Sequence, residues 1–216
     1  MGDIRFLSKY LALVVLIYGF YNYKNYSNSK AKYFIFCILF AVVTEFFGSV
    51  FYKLFNHVNF VVYNVFTIVQ LTFFLWWYQL ILNSKRRKNI LRLCILIYLI
   101  FALANCFFGE HILEANQIYT FTLGVLFVLI AISFYFIESF NKETILNITD
   151  SIYFWFSLGV LLFYGTFMPF MISVKLFLTG GQKILGVVTF VLNIIMYVCF
   201  AIGFYKSKNK NNIDVF

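Results

Sequence analysis

Charge is what this chain has least of. Only 12% of its 216 residues are Asp, Glu, Lys or Arg, against about 25% in an ordinary soluble domain, while 63% are hydrophobic. A water-soluble fold would lack the polar surface to cover itself. Proline occurs once, at Pro169, and histidine twice, at His57 and His111. The four cysteines, Cys37, Cys94, Cys106 and Cys199, all fall inside apolar stretches, with neither CxxC spacing nor loop pairs, and read as small buried hydrophobes.

These shortages exclude several classes. A seven-span retinal protein needs a Schiff-base lysine inside its last helix, and none stands between Lys183 and Lys206. A ceramidase-like zinc hydrolase builds its site from three histidines, one more than the chain has. A Ser-His-Asp arrangement, a P-loop and HExxH are all missing. The net charge of +9 does not point to nucleic acid, because the basic residues sit in short segments beside apolar runs. No cofactor is implied.

What is present in quantity is apolar length. A bilayer of roughly 30 Å needs about 20 mostly apolar helical residues per crossing. Seven stretches qualify, at Phe6–Tyr23, Tyr33–Phe55, Val58–Leu82, Ile90–Phe108, Ile118–Ile137, Ile152–Val174 and Ile184–Tyr205. The gaps between them are short and polar. The expected fold is therefore all-α, a polytopic transmembrane helix bundle of about seven spans, forming one integral membrane domain over residues 1–216. Arg5 and Lys9 ahead of an apolar run could suggest a cleaved signal, but Tyr21–Lys32 holds no small-residue cleavage site, so the first span reads as retained.

Seven spans place alternate loops on opposite faces, and Lys and Arg can be assigned to each. Arg5, Lys9, Lys53, Lys175 and Lys183 share one face. Lys24, Lys30, Lys32, Lys85, Arg86, Arg87, Lys88, Arg92, Lys142, Lys206, Lys208 and Lys210 share the other. The richer face should be cytoplasmic, which puts the N-terminus outside and the C-terminus inside. Arg5 and Lys9 alone would argue the reverse. The valines of Val61–Val65 and Val187–Val191 match, but no Gly- or Pro-interrupted pair of half-helices accompanies them to mark a transporter repeat.

Few residues could carry chemistry. Glu45 lies deep in the second span, where an ionised carboxylate is costly unless protonated or paired. Asn64 and Gln70 in the third span are its candidate partners, and the set reads either as a strut between helices or as a ligand or proton site. His57, Glu110, His111 and Glu114 gather in two outer loops and include zinc-ligand types, with HxxE spacing between His111 and Glu114. Two loop histidines without a positioned third ligand are ordinarily just solvated, so no metal is assigned. Pro169, after Gly159 and Gly165, could kink the sixth span and open a cavity. Membrane helices tolerate such residues where neighbours satisfy the freed groups, and that reading is preferred. Trp76, Trp77 and Tyr78 read as interfacial anchors.

Lys outnumbers Arg 13 to 4, and 31 Phe and 16 Tyr fill the spans, a pattern expected of a low-GC bacterial genome. Glu45 with Phe46-Phe47-Gly48, then Tyr63-Asn64 with Phe66, and the aromatic run from Phe154 to Tyr164 resemble small seven-span bacterial inner-membrane proteins of uncharacterised activity. Some of these are similar in layout to the membrane input modules of sensor kinases. The tail after Tyr205 is too short for a kinase or other output domain, so the resemblance implies that any signal passes to a partner, another membrane or signalling protein. Three functional classes follow. The first is a non-enzymatic sensing or partner-organising module. The second is a small-solute transporter or channel with a polar site around Glu45, and the third is a lipid-modifying enzyme using the outer-face histidines and acids.

Overall fold

A computed structural model describes residues 7–55, 60–113, 116–141, 145–177 and 182–208. All regular structure among them is helical. The order is α1 (Leu7–Tyr21), α2 (Tyr23–Tyr26), a 3-10 turn (Lys30–Tyr33), α3 (Phe34–Phe55), α4 (Phe60–Ile81), α5 (Lys85–Phe108), α6 (Ile118–Phe140), a second 3-10 turn (Ile145–Asp150), α7 (Ile152–Phe177) and α8 (Gln182–Lys206). Six of these helices are long and apolar enough to cross a bilayer, and α1, with 15 residues, is apolar but shorter. The chain is a multi-pass integral membrane protein.

The helices track the expected spans closely. Phe6 and Val58, where the first and third spans were expected to begin, lie outside the described residues. The clearest difference is in the fourth span, where α5 begins at Lys85 rather than Ile90. Ser84 has extended backbone (φ −66°, ψ 119°) and marks the start. The basic residues that follow have straight side chains and good helix propensity, so charge ends the apolar run without ending the helix. The loop segments expected to be plain connections hold α2 and the two 3-10 turns. Pro169 sits inside α7, which continues through it.

Several hydroxyl groups within the helices are satisfied locally. Thr44, Ser49, Thr67, Thr122, Ser133, Ser173 and Thr189 each donate to the carbonyl four residues earlier, at 2.6–2.9 Å. Ser and Thr can therefore enter an apolar span without a partner on another helix.

The chain divides into two compact units, residues 1–39 with 136–216, and residues 40–135. In the first unit α7 packs along α8, and α1 also lies against α8. Its core is an aromatic cluster. Phe34 stacks on Phe156 with centroids 4.2 Å apart and meets Phe200 edge-on at 4.9 Å. Phe156 also meets Phe204 at 5.1 Å, and Tyr26 lies 5.3 Å from Phe204. All five rings are buried. Glycine makes room for them: a Cβ on Gly19 would meet Phe204, one on Gly203 would meet Phe156, and one on Gly159 would lie 2.9 Å from the Phe200 ring and 3.1 Å from the Met196 carbonyl. Lipid is as apolar as a leucine side chain, so close packing of small residues against large ones is what holds such helices together. An ion pair closes one end, with Lys206 Nζ 2.7 Å from Asp150. Each charge suits its helix, Asp150 just before the N-terminus of α7 and Lys206 at the C-terminus of α8.

Tyr26 is tied by its hydroxyl, which donates to the Gly19 carbonyl at 2.8 Å. Burial, and secondarily Tyr23 beside it, hold this phenol far above the ordinary tyrosine range.

In the second unit α4 and α5 pack as an antiparallel pair. Leu71, Phe74, Trp77 and Tyr78 of α4, Leu91 and Tyr98 of α5, and Val125, Val128 and Tyr135 of α6 are fully or almost fully buried. Trp77 and Tyr78 thus belong to the core, and of the three expected interfacial anchors Trp76 alone is exposed, at 37%. The reason is helical geometry: consecutive residues point about 100° apart, so three adjacent aromatics cannot all face the headgroups.

Two outcomes follow from this packing. Gly159→Ala should lower the unfolding midpoint in detergent, because its Cβ meets a packed ring and backbone. Gly165→Ala, whose nearest neighbour would be Leu161 at 4.0 Å, should leave it unchanged or raise it slightly. Tyr26→Phe should cost about 1 kcal/mol at pH 8 through the lost hydrogen bond. As pH rises past about 10, phenols ionise in the unfolded chain while Tyr26 stays neutral in the folded one, so the native protein loses stability. The gap between it and Tyr26→Phe should then narrow at pH 11, and a gap independent of pH would refute the assignment.

Candidate functional site: a polar clasp at one end of the second unit

The polar residues expected to matter in the third span, α4, serve different ends. Asn64 is buried and faces the connection between α5 and α6. Its amide nitrogen donates to the Ile112 carbonyl at 3.0 Å, and its amide oxygen accepts from the Gln117 backbone N–H at 3.1 Å. One side chain thus holds both limbs of the loop, filling a carbonyl and an N–H that the turn leaves unpaired. Gln70 is also buried, but lies about one and two-thirds turns further along α4, on another side of the helix from Asn64.

Around Asn64 the loop builds a larger network. Asn105, in the last turn of α5, donates to Thr120 Oγ1 at 2.9 Å and to Glu110 Oε2 at 3.3 Å, and accepts from the Glu110 N–H at 3.3 Å. Glu110 Oε2 also accepts from the backbone N–H of Tyr119 at 3.0 Å. Tyr119 is in the first turn of α6, so this carboxylate caps the helix and sits at the positive end of its dipole. Gln117 is only 4% exposed; its side-chain nitrogen donates to the Glu110 carbonyl at 2.9 Å and to Cys106 Sγ at 3.1 Å. Gln117 Oε1 is buried without a hydrogen-bond partner. Cys106 is partly exposed, whereas the other three free cysteines are buried, and it accepts from Gln117.

The remaining residue of the expected set is Glu45. It lies partway along α3, partly exposed, one turn before Gly48. The Tyr63 ring of α4 rests on Gly48, its hydroxyl against the position a Cβ would take. The sequence paired Glu45 with Asn64 and Gln70; the α3–α4 contact found one turn on is that of Tyr63 on Gly48, and the Asn64 amide bonds to the loop.

No family model, curated protein or solved structure matches the chain. The site must be read on its own geometry.

Of the group expected on the outer face, His57 and Glu114 lie outside the described residues. His111 is exposed, and Glu110 is engaged as a helix cap. Among the described residues no three His, Cys, Asp or Glu side chains gather as metal ligands would. Sequence reasoning passed over Asn105, Gln117 and Thr120. The available signal was their crowding at the two helix ends that flank Glu110, where orphan backbone groups need partners. Asn64 was singled out, but its partners are loop groups about fifty residues away in sequence, which no local pattern discloses.

Asn64→Ala should release the loop. It strips one hydrogen bond from a backbone carbonyl and one from a backbone N–H, at roughly 1–3 kcal/mol each where burial persists. Hydrogen exchange across residues 109–120 should speed up by at least about tenfold, with α4 itself unaffected. Unchanged exchange at Gln117 would show that Asn64 does not hold the loop.

Proposed function

We propose that this chain is a non-enzymatic membrane module that senses or organises, acting by presenting a rigid loop to a partner protein. The supporting observation is the clasp. Asn64, Asn105, Glu110 and Gln117 put much of their hydrogen-bonding capacity into fixing the α5–α6 connection. The loop so fixed holds apolar side chains outward, with Phe108 92% and Leu113 70% exposed and His111 between them. Rigidity in the free state reduces the entropy lost on docking, the advantage a recognition loop gains from such anchoring.

We read all seven apolar helices as crossing a bacterial inner membrane, with the N-terminus outside and the C-terminus cytoplasmic. The distribution of Lys and Arg supports this orientation. It puts the clasped loop on the outer side, so a partner would meet it there or at the outer membrane boundary. The transport alternative keeps Glu45, but it draws less on Asn64, whose amide is bonded to the loop.

A photo-crosslinking amino acid placed at Leu113 in living cells should yield a discrete adduct with another membrane or signalling protein. Asn64→Ala should reduce that adduct at unchanged expression. A chain that stays solitary, and whose Glu45→Gln variant folds but loses uptake of a solute, would sink the module reading in favour of transport.

A further inference from the structure

One stripe of α5 faces outward along the whole helix. Lys85 and Arg92, then Leu96, Ile100, Leu103 and Phe107, follow one another at helical spacing and are all exposed, with Arg86 exposed beside the first. The stripe is cationic in its first two turns and purely apolar for the rest. Its cations do not serve the helix. Lys85, Arg86, Arg87 and Lys88 fill a first turn that contains no acid, at the positive end of the helix dipole, where cations are disfavoured. Arg87 is used within the chain, its guanidinium 5.7 Å from the Phe134 ring centroid. Lys85 and Arg86 make no ion pair among the described residues. Arg92 bends back along the stripe, donating to Asn89 Oδ1 at 3.4 Å, towards the charged end and away from the apolar one.

We propose that this stripe binds an anionic phospholipid, its phosphate against Lys85, Arg86 and Arg92 and its acyl chains along Leu96, Ile100, Leu103 and Phe107. The charge is complementary to the headgroup, and basic clusters bordering a membrane helix attract such lipids. The two cationic turns span about 10 Å of helix axis, comparable with the headgroup layer and the side-chain reach on either side of it. A free phosphate would use the cations alone. The unbroken run from charge to apolar surface on one face is what selects a lipid.

Native mass spectrometry of the full chain in detergent, titrated with phosphatidylglycerol and with phosphatidylcholine, tests this. The anionic lipid should bind about tenfold more tightly. R86Q/R92Q should cut that preference to about twofold or less, while K24Q/K208Q, which removes the same charge elsewhere, should leave it intact. Inorganic phosphate at 10 mM, roughly a hundredfold excess over lipid, should not compete. Should R86Q/R92Q fail to fold, the single R92Q variant decides, with about a threefold loss expected. Equal binding of the two lipids, or no loss in the variant that folds, would overturn the site. So would an equal loss in K24Q/K208Q, which would mean diffuse attraction, or displacement by phosphate, which would mean a site for a free anion.

Discussion

The structure depends on one constraint: within a bilayer there is no water to complete a hydrogen bond, so each polar group must find its partner in the chain. The helices meet it for the backbone, and back-bonding meets it for small hydroxyls such as Ser49 on Glu45 and Thr67 on Tyr63, while Thr72 and Ser139 are buried without a hydrogen bond. The constraint bites hardest where a helix ends, because its terminal N–H and C=O groups lose their partners there. The clasp of the second unit answers it at one such place. Asn105 and Gly109 finish α5, Glu110 caps α6, and Asn64 reaches over from α4 to close the turn. Side chains that look like chemistry in a sequence are here the means of ending two helices without leaving their backbone unpaired.

The two units solve packing differently. The first relies on rings set against glycines, Phe204 over Gly19 and Phe156 over Gly203, where shape carries the cohesion. The second pairs an apolar interior of Leu71, Phe74 and Val128 with a polar end, where hydrogen bonds carry the specificity. Lys206 and Asp150, each about one-third exposed, add little in energy but fix which helix ends meet.

How much of this could be read beforehand follows from how far each signal reaches. Apolar length is a local property, and it located the seven helices, with errors at Lys85 and in the small helical turns of the loops. Those errors arose because a run of hydrophobic residues reports where lipid begins, whereas a helix stops only where capping and backbone geometry stop it. The burial of Trp77 and Tyr78 was not visible, since composition does not say which side of a helix meets another helix. Glu45 and Asn64 stand out in the sequence, yet the loop groups bonded to Asn64 are remote in sequence, and the role of Glu110 as a cap needed the start of α6 in view. Long-range pairings of this kind become legible only once the fold has brought the segments together.

The aromatic cluster of the first unit has a consequence for the order of events during synthesis. Residues 40–135 form a continuous segment, so all the parts of the second unit exist once Tyr135 has been made. The first unit is assembled from both ends of the chain, and Phe34 cannot stack on Phe156 or meet Phe200 until the last two helices have followed. For most of translation α1 and the start of α3 are therefore without the rings that will bury them. Their glycines and phenylalanines remain open to lipid, or to whatever assists insertion, until α8 arrives and completes the cluster.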